Sequence, residues 1–235
     1  MIARAPAAAS KVVSKTVETT VLTADAALPG SLTVPDKAVG LVLFAHGSGS
    51  SRLSPRNRAV SALLNEARLG TLLFDLLTEK ESRIDARNAR LRFDIPLLSA
   101  RLVGAIDWLK SSKATAKLPL GLFGASTGAA AALTAAATRP AMVGAVVSRG
   151  GRPDLASDTL AAVRSPVLLI VGGLDETVIE LNEEAAARLA CKWQLEIIPG
   201  ATHLFEEPGA MARVALMTRE WFLRHLGRDA GAGCS

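Results

Sequence analysis

The residues most able to do chemistry in this 235-residue chain belong to a serine-centred motif, GASTG, at positions 124–128. The spacing G-x-S-x-G is typical of a sharp turn between a strand and a helix, which raises the serine hydroxyl above a sheet. Glycines let strand and helix approach closely, and the turn forces Ser126 into a strained backbone conformation. The motif predicts that Ser126 is a nucleophile; the alternative is a chance match in an Ala-rich helix that only packs.

A serine hydroxyl is a poor nucleophile and needs a base within hydrogen-bond reach. The chain has three histidines, and His203 follows the last predicted strand, where such a base is expected. His46 ends an earlier strand and is interpreted as a loop former, whereas His225 lies in the final predicted helix. We predict that His203 is the base, the alternative being a capping residue in a loop.

The acid that orients this histidine has two main candidates, Asp75 and Asp175, because both end predicted strands. Asp175 follows two glycines, and its strand should neighbour the histidine loop. Asp75 lies within an apolar run and could cap a backbone turn instead, and Asp154 is a third candidate. We predict Asp175, which can fix the imidazole tautomer and stabilise the imidazolium.

Acyl chemistry also needs backbone N–H groups aimed at the developing negative charge. We predict that Thr127, at the start of the helix, supplies one and that Ser48, in the loop HGSG at 46–49, supplies the other. Arg52, Arg149 and Arg152 either lie on the surface or bind the carboxylate or phosphate of an anionic substrate.

Alternating strands and helices must position these residues. Apolar runs predict strands at 40–45, 71–77, 118–123, 142–147, 167–171 and 194–198, and an edge hairpin at 11–23 and 31–34 with its turn at 28–31. Helical patterns follow most of them, including 154–163, 179–190 and 211–226. The charged stretch 78–94 is predicted to be a solvated loop or frayed helix, or else a partial lid. The rhythm predicts an α/β fold with a mostly parallel sheet of about eight strands covered by helices on both faces.

Composition narrows the class of protein. With 49% hydrophobic and 21% charged residues, the chain can bury the core of one α/β domain. We expect that domain at 1–227, with a loose arm at 1–10 and a flexible tail at 228–235. No apolar stretch is long enough to span a membrane. The arm lacks the features of a cleaved signal, so a cytoplasmic protein is expected.

The cysteines and the distribution of charge restrict the partners and cofactors that we expect. Cys191 and Cys234 do not make a disulfide framework, and neither has metal-ligand spacing to a histidine. The net charge of +5 comes from basic residues mixed with acidic ones, and the chain has no tyrosine, which argues against nucleic-acid binding. We expect no metal or organic cofactor and a monomer or homodimer.

The motifs HGSGSSR, GASTG, VGGLD and GATHLFEEPG, in that order over residues 40–226, resemble those of the dienelactone hydrolase-like branch of the α/β-hydrolase superfamily. The chain is especially similar to small bacterial hydrolases that are sometimes fused to, or encoded with, phosphoribosyltransferase domains. The resemblance implies the fold and the set Ser126, Asp175 and His203, but no substrate. The name-giving enzymes use a cysteine nucleophile where this chain has Ser126, which favours a serine esterase over dienelactone turnover.

Together the residues predict a serine hydrolase that cleaves an ester, thioester or lactone of a small soluble substrate through an acyl-enzyme on Ser126. Two alternatives stay open. The fold could be a non-catalytic module that binds a ligand or a partner protein, or the same three residues could transfer the acyl group to an alcohol or amine instead of water.

Overall fold

The computed structural model describes residues 12–156 and 158–227. Within these residues the centre is one sheet of eight strands in the order β1-β2-β4-β3-β5-β6-β7-β8. The strands are β1 Thr16–Leu22, β2 Ala27–Thr33, β3 Gly40–Ala45, β4 Leu69–Phe74, β5 Leu120–Ala125, β6 Val143–Arg149, β7 Val167–Gly172 and β8 Trp193–Ile198. Strands β3 to β8 are parallel, and β1 and β2 form an antiparallel edge. The predicted α/β fold with a mostly parallel sheet is confirmed.

The sheet is covered on both faces. The helices of the described ranges are α1 Pro55–Glu66, α2 Glu79–Asn88, α3 Ile95–Ser111, α4 Thr127–Thr138, α5 Glu176–Ala186 and α6 Ala210–Leu226. Helices α3, α4 and α5 bury their apolar side chains on one face, and α1 and α6 cover the other. Every residue of β3, β4, β5 and β7 is buried, as expected for strands with helices on both sides.

The predicted turn of the edge hairpin was wrong. Residues 28–31 lie within β2, and the chain turns at 23–26, where Thr23 donates its N–H to the Ala26 carbonyl at 2.8 Å. The side chain of Leu28 is buried in the core. Ser31 donates its hydroxyl to Glu18 of the neighbouring strand at 2.7 Å. Contacts on both faces of β2 therefore outweigh the turn propensity of its Pro-Gly pair.

Two other local predictions also need correction. Strand β4 lies at Leu69–Phe74 instead of 71–77. Leu76 and Leu77 extend the apolar run and are buried, but they lie in the loop that leaves the sheet. The helix predicted at 154–163 is replaced by two short 3-10 turns, Pro153–Ala156 and Leu160–Ala162.

The charged stretch 78–94 is ordered. Thr78 and Glu81 form a capping box at the start of α2, in which Thr78 donates its N–H to the Glu81 carboxylate at 2.7 Å and its hydroxyl accepts from the Glu81 N–H at 3.3 Å. A short 3-10 turn at Leu91–Phe93 then leads into α3. The predicted arm at 1–10 and tail at 228–235 lie outside the described residues.

Candidate active site

Ser126 occupies the turn between β5 and α4 with a strained backbone, at φ 50° and ψ −123°. A non-glycine residue at positive φ is uncommon and marks a site that the surrounding structure holds in place. Here the Ser126 N–H donates to the carbonyl of Arg149, at the end of the neighbouring strand, at 3.2 Å. At Gly128 a side chain would collide with the carbonyl oxygens of Ala45 and His46, so α4 can start this close to β3 only with glycine there.

His203 and Asp175 come together at the same edge of the sheet. The imidazole Nδ1 lies 2.6 Å from Asp175 Oδ2. The two loops are tied by a backbone hydrogen bond from Leu174 N–H to Ala201 O at 2.9 Å. The side chain of His203 is 39% exposed and that of Asp175 17%, so the carboxylate is shielded while the ring reaches solvent. With Nδ1 donating to the carboxylate, Nε2 is left to accept a proton.

One glycine lies next to both the serine and the histidine loops. Gly150 directly follows Arg149, the residue that accepts the Ser126 N–H, and its Cα faces the His203 carbonyl and ring. Among the described residues neither Ser126 Oγ nor His203 Nε2 forms a hydrogen bond. Hydrogen bonds between nucleophile and base are often long without substrate and tighten in the complex. The fold therefore brings the loops of the predicted nucleophile and base together around Gly150, and no described residue forms a hydrogen bond with either reactive atom.

The loop after β3 lies directly against the nucleophile. Gly47 packs on the Cβ of Ser126, where an added side chain would come within 3.0 Å of that atom. Ser48 and Thr127 both line the cavity that opens beside it. Thr127 is the first residue of α4, where backbone N–H groups have no partner within the helix. Both residues predicted to stabilise the oxyanion thus face one cavity.

His46 has a structural role in this loop, as its interpretation as a loop former predicts. Its Nε2 accepts the Leu76 N–H at 3.1 Å. Its Nδ1 lies 3.0 Å from the Gly47 carbonyl, to which it can only donate. Burial lowers the pKa of His46, an effect that outweighs the opposing contributions of the Gly47 hydrogen bond and the charge of Asp75. The ring therefore stays neutral and connects the loops after β3 and β4.

The rival acids are already engaged. Asp75 accepts the Arg52 backbone N–H at 2.7 Å and its guanidinium at 2.8 Å. Asp154 accepts from Nε and Nη2 of Arg152, at 2.8 and 2.7 Å. The carboxylate that contacts the histidine is that of Asp175. These ion pairs also engage two of the three arginines for which anion binding was predicted.

Arg149, the third of those arginines, is buried. It is 8% exposed, and its Nε and Nη1 have no hydrogen-bond partner among the described residues. The guanidinium lies over the ring of Phe205, 5.9 Å from the centroid. Burial, with a smaller contribution from the charge of Arg56, lowers the pKa of Arg149 to about 10, so the side chain is still cationic at neutral pH.

A cavity of about 530 Å³ opens beside the oxyanion loop. Its far wall is formed by α2 and the segment that follows, including Glu79, Asp85 and Arg92. The buried Asp85 accepts from the Arg92 N–H at 3.0 Å and from its Nε at 2.6 Å. Although burial alone would raise the pKa of Asp85, these hydrogen bonds and the Arg92 charge hold it below its usual value. The stretch 78–94 thus borders the cavity that Ser48 and Thr127 line.

Sequence reasoning missed Asp85, Arg92, Arg56 and Phe205. The dense charge of 78–94 was a signal that pointed to the right segment but not to the ion pair within it. Arg56 and Phe205 gave no signal, because the charge of Arg56 near Arg149 and the contact of Phe205 with Arg149 depend on how α1 and the histidine loop pack against β6.

Nothing in residues 12–156 and 158–227 groups three or more histidine, cysteine or acidic side chains in a way that could hold a metal ion. Cys191 is a free thiol, and Cys234 lies outside the described residues. No helix in the described part of the chain is long and apolar enough to cross a membrane.

Comparison with known proteins agrees with the observed fold. The sequence model of the dienelactone hydrolase family matches residues 66–223. A crystal structure of a dienelactone hydrolase from Anabaena variabilis is 55% identical, with a TM-score of 0.89, and the match covers 90% of this chain and 98% of that one. Est1E from Butyrivibrio proteoclasticus is 16% identical, with a TM-score of 0.75 over 89% of this chain and 98% of its own, which shows the shared fold.

Two curated relatives from Mycobacterium tuberculosis carry the provisional name phosphoribosyl transferase. Each is 57% identical over 197 residues, which is 84% of this chain but only 44% of the relative. The chain therefore spans less than half the length of these relatives.

Proposed function

This chain belongs to the dienelactone hydrolase family, and on that premise we propose that it is a serine hydrolase acting on an ester, thioester or lactone. Ser126 is the nucleophile, His203 the general base and Asp175 the residue that orients the histidine. One observation carries the proposal: a serine at positive φ stands at the same sheet edge as a histidine whose second nitrogen is free and whose first contacts a shielded carboxylate.

Acylation would proceed in two steps. The Ser126 hydroxyl attacks the carbonyl carbon as its proton passes to His203 Nε2, and the carbonyl electron pair becomes an oxyanion. The N–H groups of Ser48 and Thr127 donate to that oxyanion. The intermediate then collapses, the bond to the leaving oxygen or sulfur breaks, and the imidazolium returns its proton to the leaving group.

Deacylation repeats the same steps with water. His203 takes a proton from water, the resulting hydroxide equivalent attacks the acyl-enzyme, and the Ser126 oxygen leaves with the proton that the imidazolium returns. Asp175 stabilises the imidazolium in both halves. No electron acceptor or metal enters this balance.

The size of the cavity beside the oxyanion loop supports a small substrate, although its lining includes Ser48 and Thr127 and not Ser126 or His203. A volume of about 530 Å³ lies in the range of pockets that enclose a small organic ligand. Arg52 lines this cavity while its guanidinium pairs with Asp75, and Arg152 pairs with Asp154. That any of the three arginines binds a substrate anion stays a prediction, and the experiment described below tests it at Arg149.

The experiment is active-site labelling. We expect a fluorophosphonate to add once to the protein, and peptide mass analysis to place the adduct on Ser126. Ser126→Ala should abolish the adduct, and His203→Ala should slow its formation. An adduct at another residue, or none, would contradict the proposal.

A panel of p-nitrophenyl esters separates hydrolysis from the binding-module alternative. A hydrolase releases p-nitrophenol in a reaction that Ser126→Ala removes, whereas a binding module gives no Ser126-dependent release.

The transferase name of the mycobacterial relatives refers to proteins of which this chain matches less than half. The proposed hydrolase activity rests on this chain's own serine, histidine and aspartate.

A further inference from the structure

Arg149 is an unusual side chain for its place in the fold. It is 8% exposed, and no described carboxylate pairs with its guanidinium. A buried charge without a partner is costly to desolvate. The other arginine whose side chain is almost fully buried, Arg101, contacts both Glu81 and Asp25. The absence of a carboxylate at Arg149 indicates a role other than ion pairing.

The contact that Arg149 does make lies in the loop of the general base. Its guanidinium covers the ring of Phe205, two residues after His203, and a cation above an aromatic face is attracted to it. Phe205 is 1% exposed and has a positive φ of 55°, a conformation that a bulky residue keeps only when its surroundings hold it. The ring therefore anchors this loop to the end of β6.

The same stretch also contacts the nucleophile. The carbonyl of Arg149 accepts the Ser126 N–H at 3.2 Å, and the next N–H, that of Gly150, donates to Ile170 in β7 at 2.7 Å. Arg149 thus contacts the serine turn through its backbone and the histidine loop through its side chain. A second tether joins the loop to the start of α1, where Arg56 binds Glu206 at 3.0 Å.

We infer that Arg149 is a positioning residue: its guanidinium fixes the Phe205 ring and so holds His203 in register with Ser126. The inference rests on the proposed role of His203 as the base. Arg149 then contributes to the rate without touching the substrate, because a base that drifts by a fraction of an ångström transfers its proton less often.

The experiment compares three variants on two matched esters, neutral p-nitrophenyl butyrate and anionic p-nitrophenyl hemisuccinate. Arg149→Met removes the charge but keeps most of the length, and Phe205→Leu removes the ring. Both should lower kcat by about 10- to 100-fold on both esters with KM within about twofold. Arg149→Lys keeps a cation and should recover a large part of the loss.

A second readout does not depend on turnover. The proton on His203 Nδ1, in its 2.6 Å contact with Asp175, should give a far-downfield proton NMR resonance. Arg149→Met and Phe205→Leu should broaden or shift this resonance while the folded spectrum persists. The matched control is Arg139→Met, which breaks a bidentate pair with Asp107 on the surface and should leave both resonance and kcat unchanged.

Other outcomes would overturn the inference. A rise in KM for the hemisuccinate alone would make Arg149 a substrate-anion contact, and an unchanged kcat and resonance would leave it without a role in positioning. If Arg149→Met fails to fold, the other two variants decide. Full activity of Phe205→Leu contradicts the inference, and so does an Arg149→Lys variant that recovers none of the lost activity. A wild-type protein without Ser126-dependent turnover would refute the proposed function, while the resonance would still test the contact between Arg149 and Phe205.

Discussion

Two histidine–aspartate sets flank the serine turn, and they are used differently. On one side His46 and Asp75 follow β3 and β4; on the other, His203 and Asp175 follow β8 and β7. Both ring nitrogens of His46 have backbone partners, and both oxygens of Asp75 are bonded to Arg52. In the second set Nδ1 of the histidine contacts the aspartate, and Nε2 is free among the described residues.

The difference shows what makes a histidine a candidate base. Both rings follow parallel strands, the buried β3 and the partly exposed edge strand β8, at the same sheet edge, where ligands of such sheets bind. His46 has no nitrogen left for a proton in transit, so it can only organise the loop that contacts Ser126. His203 has one nitrogen fixed and one available, which is the arrangement that proton transfer requires.

The largest expected effect comes from comparing the alanine variants of the two histidines. His203→Ala should lower kcat/KM by about 1000-fold or more, because the hydroxyl loses its base, with little change in the free energy of unfolding. His46→Ala should lower that free energy by about 1 to 3 kcal/mol, because a buried backbone N–H loses its acceptor. Ester kinetics and urea unfolding of both variants check this.

The reverse pattern, with His46→Ala inactive and fully stable and His203→Ala active, would break the comparison. A loss of activity in both variants without any loss of stability in either would show that the loop after β3 contributes to the chemistry as directly as the loop after β8.

A smaller effect is expected at the two aspartates. Asp175→Asn should lower kcat/KM by about 100-fold or more, because an amide cannot stabilise the imidazolium and favours the wrong tautomer. Asp75→Asn should cost about 2 kcal/mol of unfolding free energy through weaker bonds to Arg52, with a much smaller loss of activity. The same ester assay and unfolding curves decide, and equal rate losses at the two positions would contradict the assignment of Asp175.

The placement of the three site residues could be predicted because it follows from chain order alone. Ser126, Asp175 and His203 each lie in the loop or turn that follows a strand, after β5, β7 and β8, and parallel strands bring their carboxyl ends to one edge. The choice between Asp75 and Asp175 followed from their neighbours, and the structure supplies its physical reason in Arg52, which occupies both oxygens of Asp75.

What could not be predicted depends on packing between distant elements. Leu76 and Leu77 extend the apolar run of β4, yet they are buried beyond the strand, and apolar character alone does not separate these cases. Arg149 could be recognised as an arginine at a strand end, but its burial under Phe205 depends on where the histidine loop folds. The capping box of Thr78 and Glu81 was visible in the sequence, although the charge density around it favoured a loop or a frayed helix.

The smallest expected effect is the pH dependence that His46 adds to stability. Burial lowers the pKa of His46 in the folded protein, whereas the unfolded chain takes up this proton near the ordinary value of about 6.5. The unfolded state therefore binds more protons below that pH, and stability is lost as pH falls, with a limit of about 1.4 kcal/mol per pH unit for one group.

His225 contributes in the same sense, because burial, followed by the charges of Lys192 and Arg224, also lowers its pKa. Urea unfolding between about pH 5 and 7.5 should thus show a slope that His46→Gln and His225→Gln each reduce in part. A His46→Gln slope equal to that of the wild type would mean that burial of the His46 ring adds no pH dependence to stability.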